Sequence, residues 1–338
     1  MVDITPVKEK TILIVLLVIL LADLGWFGWY YYYSLAPTYA PFADKIIRIK
    51  RGTTLKEAAR LLSEEKLIKE CKIFTFWAAD RKIKAGEYRL TPRMSASEIM
   101  AVLERGKSVL YRLTVPEGFR GEQIAELVHR KGLAKKEVFF LAFRDIKLLN
   151  SLGIEGKDAE GYLFPDTYFF PKGIKAEVII REMVGQFENR FTEEMRNRAT
   201  DLGWSLHEVV TLASLIEKEA GHQGERSLIS SVFHNRLKRG ERLYSDPTVM
   251  YGLSRFDQRL TKKDLASDSP YNTYKHKGLP PGPIANPGLA SIKAALYPAK
   301  TDYRFFVSKN DGTHLFSRTL REHNRAVLKY QKRKNQEK

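Results

Sequence analysis

Residues 205–221 read SLHEVVTLASLIEKEAG, and the C-terminal half of the chain is best read outward from them. Ser205 followed by Glu208 is a capping box, in which the serine and the glutamate each accept a hydrogen bond from the other's backbone N–H. Gly221 is a natural stop. The spacing predicts a helix between them. At about 100° per residue, Leu206, Val209, Val210, Ala213, Ile216 and Ala220 share one face. Glu217 falls on that face, Glu219 falls at its edge near Leu212 and Leu215, and Lys218 points away. A carboxyl on an apolar face loses hydration, which raises its pKa. A carboxyl protonated near neutral pH is what a general acid needs. The competing reading is a structural glutamate paired with Arg226 or Arg236, and it applies more strongly to Glu219.

Downstream, residues 240–290 look loop-like, rich in Gly, Pro, Ser, Asp and Tyr. A stretch of that length inside a folded domain is usually functional or disordered. SDPTVMYG, from Ser245, can set hydroxyl and carboxylate groups, Asp246 among them, in a rigid turn. SPYNTY, from Ser269, places Asn272 and Thr273 between Tyr271 and Tyr274. Aromatic faces and amide hydrogen bonds suit sugar rings and N-acetyl groups. GLPPGPIANPG, from Gly278, is a stiff wall that forms no regular element. Each alone reads as surface punctuation; three of them close to Glu217 point to a cleft. A helix is expected over 289–296 and a strand over 303–307.

Upstream, EGYLFPDTY is aromatic-rich and carries Glu160 and Asp166. One long helical stretch is expected over 176–202. Residues 44–50 read as a strand, 55–62 as a helix with Thr54 at its N-cap, 71–80 as a second helix, 86–90 as a strand and 96–104 as a third helix. Gly52, Ala59, Leu61, Leu67 and Phe74 each have an identical residue 66 positions later: Gly118, Ala125, Leu127, Leu133 and Phe140. Two small α+β modules in series are expected, over 44–106 and 107–150, ahead of an α+β catalytic domain over 151–328. The first module, strand–helix–helix–strand, resembles a LysM-type glycan-binding module; a packing unit without a binding role reads equally well.

Residues 11–33 carry one charge, Asp23. A membrane-spanning helix needs about 20 apolar residues. Trp26, Trp29 and Tyr30 to Tyr33 look like an interfacial aromatic belt, and Lys8 and Lys10 precede the run, which keeps residues 1–10 cytoplasmic. A single-pass anchor in the cytoplasmic membrane is expected, with the rest of the chain outside. A cleaved signal peptide competes, but its apolar core is usually shorter, about 7–15 residues. The chain has 57 Lys+Arg against 40 Asp+Glu, a net charge of +17. That excess calls for an anionic partner. An extracytoplasmic location removes nucleic acid and leaves envelope polymers or lipid head groups. Part of the excess lies in a basic tail, 329–338.

Six motifs in order, EGYLFPDTY, LASLIEKEA, SVFHNRL, SDPTVMYG, SPYNTY and GLPPGPIANPG, give the chain its resemblance to the YceG-like endolytic murein transglycosylase family. It extends over almost everything after the anchor. The resemblance implies internal cleavage of the MurNAc–GlcNAc bond in nascent peptidoglycan glycan strands, leaving 1,6-anhydro-MurNAc ends. It further implies Glu217 as the catalytic acid, a LysM-like subdomain, and work alongside cell-wall synthases. One carboxyl suffices, as general acid and then base. Hydrolysis needs a second carboxylate, and Glu160, Asp166, Glu219 and Asp246 keep it open. Asp246, Tyr271, Asn272 and Thr273, with Glu160, Asp166 and Glu219, are the expected substrate-binding residues.

Other classes fit less well. A non-enzymatic envelope scaffold explains the anchor and the repeat but not the placement of Glu217. Ser63 and Lys66 match the SxxK spacing of penicillin-binding enzymes, yet Ser63 ends a helix and no KTG follows. His207-Glu208 lacks the second histidine of a zincin helix. One cysteine, Cys71, excludes an internal disulfide framework and a multi-cysteine zinc site. No cofactor and no metal are expected.

Overall fold

The computed structural model describes residues 5–41, 43–256 and 259–332. The chain forms two compact units, Met1–Tyr111 with Pro171–Gly173, and Arg112–Phe170 with Ile174–Lys338.

The first unit contains helix α1 (Thr5–Leu35), strand β1 (Lys45–Ile49), helices α2 (Leu55–Glu64) and α3 (Cys71–Trp77), strand β2 (Gly86–Leu90) and helix α4 (Ala96–Arg105). β1 and β2 are antiparallel, with Lys45 opposite Leu90 and Ile49 opposite Gly86. Alternate strand residues turn inward, so Ile47, Ile49, Tyr88 and Leu90 meet Leu62, Phe74, Ile99 and Leu103 in one core. Thr54 and Ser95 begin α2 and α4 with capping boxes, and Cys71 lies half-buried at the core's margin. Residues 10–35 of α1 form a segment long and apolar enough to cross a membrane, with none of its most apolar window buried. Trp26 stacks on Tyr30 and Trp29 on Tyr33 at its C-terminal end.

The second unit begins within β3 (Leu110–Thr114) and continues through α5 (Gly121–Arg130), α6 (Lys136–Phe143), α7 (Ile146–Ser151) and β4 (Thr167–Pro171). Then come α8 (Ala176–Arg190), α9 (Glu193–Asp201), α10 (Leu206–Glu219), α11 (Arg226–Lys238), α12 (Asp246–Leu253), α13 (Lys262–Leu265), α14 (Leu289–Leu296), β5 (Phe305–Ser308), β6 (His314–Ser317) and α15 (Leu320–Val327). β3 pairs with β4, and β5 pairs antiparallel with β6. α10 is the central element and packs against α9, α11, α12 and α14. The architecture is mixed α and β, as expected.

Several expectations change. The helical stretch over 176–202 breaks at Phe191, where Thr192 caps α9 by accepting from the Met195 N–H. Residues 240–290 are not all loop: Asp246 opens α12 with Pro247 in its first turn, where the missing N–H loses nothing. The strand expected at 303–307 runs from 305 to 308, and β6 and α15 were not foreseen. In the basic tail, the Tyr330 carbonyl accepts from Asn310 Nδ2 at 2.7 Å, and Gln331 Nε2 donates to the Ser308 carbonyl. Residues 333–338 of that tail, and 1–4 of the N-terminus, lie outside the described residues.

The 66-residue repeat has a structural counterpart. α2 and α3 match α5 and α6 in order, and Gly52 and Gly118 both have positive φ, 83° and 73°. Leu67 and Leu133 are buried alike. Phe74 is a core residue, whereas its counterpart Phe140 is half-buried and lines a cavity.

Candidate active site

The capping box at Ser205 and Glu208 forms as read. The apolar stripe does not single out Glu217, because residues 209–216 are buried all round. A helix enclosed on every side gives both of its terminal glutamates a protein environment. Two positions on a helix differ by about 200°, so Glu217 and Glu219 face opposite sides.

Glu217 is satisfied by the fold. Its side chain is 7% exposed, and Oε1 accepts from Arg226 Nη2 at 3.2 Å. Oε2 accepts from the Gly288 N–H at 3.0 Å, at the start of α14. Arg226 also donates through Nε to Ser291 Oγ at 3.0 Å and lies 3.6 Å from Glu117 Oε2. Burial, and then the charge of Glu217, push the Glu117 carboxyl up. This is the arginine pairing that competed with a catalytic role.

Glu219 has a different setting. Ser245 Oγ donates to its Oε1 at 2.6 Å. Burial is the main cause that pushes its carboxyl up to about 7; the Ser245 hydrogen bond opposes this, Asp246 adds to it and Arg236 eases it. Glu219 lines a cleft of about 940 Å³ together with Asp246, Tyr244, Tyr274 and Arg236. Tyr274 donates its hydroxyl to Asp246 Oδ1 at 2.6 Å. Tyr244 meets Tyr274 edge to face, with centroids 5.4 Å apart. Tyr244 is exposed and has a φ of 50°, a left-handed backbone conformation that is costly for a bulky residue. The Tyr244 N–H donates to the Thr273 carbonyl and holds it there.

The remaining expected residues divide. Asn272 is fully buried; its Nδ2 donates to the carbonyls of Leu265 and Ser267, and its Oδ1 accepts from the Tyr274 N–H. Thr273 is bound to Ser245 and Thr248. Both brace the wall that holds Tyr274. Asp166 accepts from the Thr167 N–H and Gln186, with Arg190 nearby, and these hold its carboxyl below the usual range. It lines neither large cavity.

Glu160 is buried, accepting from the Gly121 N–H at 3.0 Å and Asn286 Nδ2 at 2.9 Å, with Tyr251 donating at 3.4 Å. Burial first, then the charge of Asp158, push it up to about 8. Glu160 and Tyr271 line a second cavity of about 760 Å³ that has no lining residue in common with the Glu219 cleft.

Sequence reasoning missed Tyr244 and Arg236 as cleft residues and Glu117 as the neighbour of Glu217. The available signal was the opposed facing of the two glutamates. Among the described residues, no group of three His, Cys, Asp or Glu side chains converges as metal ligands would.

The model of the YceG-like family matches residues 47–329. An endolytic murein transglycosylase of Bacillus subtilis (strain 168) is 37% identical over 309 residues, covering 86% of each chain. One from Streptococcus pneumoniae (strain D39) is 30% identical over 319 residues, covering 84% of this chain and 58% of its own. A crystal structure of a YceG-like protein from Listeria monocytogenes aligns with a TM-score of 0.60 at 38% identity, over 83% of this chain and 98% of that one. With the match extending from β1 to the end of the second unit's helices, the chain belongs to the YceG-like family.

Proposed function

We propose that the protein is a membrane-anchored lytic transglycosylase that cuts peptidoglycan glycan strands internally, with Glu219 in the place expected of Glu217 as the acid. The observation that carries this reading is the Glu219 carboxyl, raised to about 7, hydrogen-bonded to Ser245 and lining a cleft with Asp246 and Tyr274. A general acid needs a proton on an oxygen that faces substrate. Glu217 accepts one hydrogen bond on each oxygen, from Arg226 and the Gly288 N–H, whereas Glu219 is held through Oε1.

Glu219 gives its proton to the glycosidic oxygen as the MurNAc C1–O bond breaks. The GlcNAc unit leaves with a free 4-hydroxyl. Positive charge develops at C1 and the ring oxygen, and the Asp246 carboxylate, oriented by Tyr274, is placed to stabilise it. The C6 hydroxyl oxygen of the same MurNAc then attacks C1, and its proton passes to the Glu219 carboxylate. The result is a 1,6-anhydro end, a regenerated acid and no water consumed. The names of the relatives support murein as substrate.

Asp246, in the same cleft, specifically favours a second reading, hydrolysis with that carboxylate as base or nucleophile. Mass spectrometry of products from purified sacculi separates the two. Anhydro ends support transglycosylation, reducing ends support hydrolysis, and intact sacculi overturn both.

The apolar α1 supports a single-pass anchor with residues 1–10 inside and the bulk outside. The βααβ order of residues 45–90 supports a LysM-like glycan-contacting module. Cell-wall synthases are proposed partners on the family resemblance alone. A C-terminal reporter active only in the cytoplasm would overturn the topology.

A further inference from the structure

The 760 Å³ cavity is of a size that holds small ligands. Its walls are unlike those of the acid cleft. Tyr251, Tyr271 and Phe256 supply aromatic faces, while Arg144 and Lys157 stand with Glu122, Glu155 and Asp158 around the same space. A neutral sugar chain has no use for such charges, and a simple anion would be met by one sign. Charges of both signs suit a ligand that carries an ammonium group and carboxylates together.

The cavity also has a fixed relation to the acid cleft. α12 begins with Asp246 in the cleft and brings Tyr251 and Gly252 to the cavity. Five helical residues span about 7.5 Å. The turn after Ser269 sends Tyr271 to the cavity and Tyr274 to the cleft. Close packing locks the two segments together: a Cβ on Gly252 would lie 2.2 Å from Ser269 Oγ. A Cβ on Gly282 would stand 3.4 Å from both His207 and the Tyr271 hydroxyl, an ordinary contact distance, so this segment packs closely against both.

The geometry points to this cavity as a second binding site that takes the short zwitterionic peptide branch borne by the glycan strand. The inference rests on the proposed peptidoglycan substrate. A branch on a sugar held in the Glu219 cleft needs to reach only about one and a half helical turns to enter it.

The binding test uses the full chain in detergent carrying Glu219→Gln, so that nothing is cleaved. The probe is the synthetic pentapeptide L-Ala-γ-D-Glu-L-Lys-D-Ala-D-Ala, followed by calorimetry. Saturable binding is expected, weakened roughly tenfold by acetylating the probe's lysine and by the exposed double change Lys157→Glu with Arg144→Glu. Absence of saturable binding, or binding indifferent to both changes, overturns the site.

The second arm compares active protein on glycan strands with their peptides and on strands stripped by an amidase. Wild type should cut the peptide-bearing strands roughly tenfold faster by kcat/KM. The double variant should lose that preference while keeping its rate on stripped strands. Equal rates for wild type overturn the inference and leave the transglycosylase reading standing; cleavage of neither strand overturns that reading, and the pentapeptide titration still decides the site.

Discussion

Glu217 and Glu219 stand two residues apart at the end of one helix, and their carboxylates live in opposite circumstances. Glu217 is clamped between Arg226 and the Gly288 N–H, while Glu219 is held by the Ser245 hydroxyl at the edge of an open cleft. The difference separates a carboxylate that ties α10 to α11 and to the start of α14 from one that lines the cleft beside Asp246.

Glu219→Gln should fold normally and lose glycan cleavage by about 10²-fold or more. Glu217→Ala should act mainly on stability, because it leaves the Arg226 guanidinium buried beside an empty space. Breaking a buried pair in this way costs about 3 kcal/mol. Thermal unfolding and release of soluble fragments from sacculi, measured on both variants, test the division; it fails if Glu217→Ala is stable but inactive.

The pH dependence follows from the raised Glu219 carboxyl. Its acid form is lost as pH rises through about 7, so cleavage should fall across that range. The folded state holds this proton more tightly than the unfolded one does. The associated stability is therefore fully present below about 4.5 and is lost as pH rises from there to about 7. Ser245→Ala removes the hydrogen bond that opposes the upward shift, so the alkaline limb of the rate profile should move higher. A profile that stays in place in Ser245→Ala would speak against Glu219 as the titrating acid.

Much of this was legible in sequence, and the limits have physical causes. The capping box at Ser205 and Glu208 fixed the start of α10 because both partners lie within one turn. α14 was read at its observed bounds. The partners that distinguish Glu217 from Glu219 come from Arg226, Ser245 and Gly288, on other elements, and helical periodicity carries no information about them. Asn272 looked like a sugar ligand for the same reason. An amide between two tyrosines says nothing of the carbonyls of Leu265 and Ser267 that consume it. The break at Phe191 was missed although Thr192 is an N-cap residue type, because the charged residues on both sides of it let a helical pattern run through.

Tyr244 should show stability and binding moving in opposite directions. Asparagine tolerates left-handed backbone far better, so Tyr244→Asn should gain about 1 kcal/mol of stability. It also removes the exposed aromatic face beside Asp246, and KM for glycan should rise roughly tenfold. Melting temperature and steady-state kinetics on one preparation test both halves. A loss of stability with unchanged KM would give the ring a packing role instead.

Gly161→Ala should be among the most damaging single changes in the second unit. The residue has a φ of 90°, and a Cβ there would lie 2.5 Å from Pro283 Cγ and 2.7 Å from Val210 Cγ1. Strain and overpacking together cost roughly 2–4 kcal/mol. Recovery of folded protein with an unchanged melting temperature would show that the Pro283 segment yields more readily than its packing suggests.

The repeated strand–glycine–helix unit is constrained unequally in its two copies. A side chain added at Gly52 would meet open space, whereas one at Gly118 would reach Glu217 Cγ at 3.4 Å. The first copy's turn is closed by its own backbone, with the Thr53 N–H donating to the Lys50 carbonyl. The second copy's turn also carries Glu117 beside Arg226, and the Gly121 N–H that Glu160 accepts. Both glycines are needed for their left-handed backbone, and the second is tethered in addition by side chains of other elements that cannot move with it.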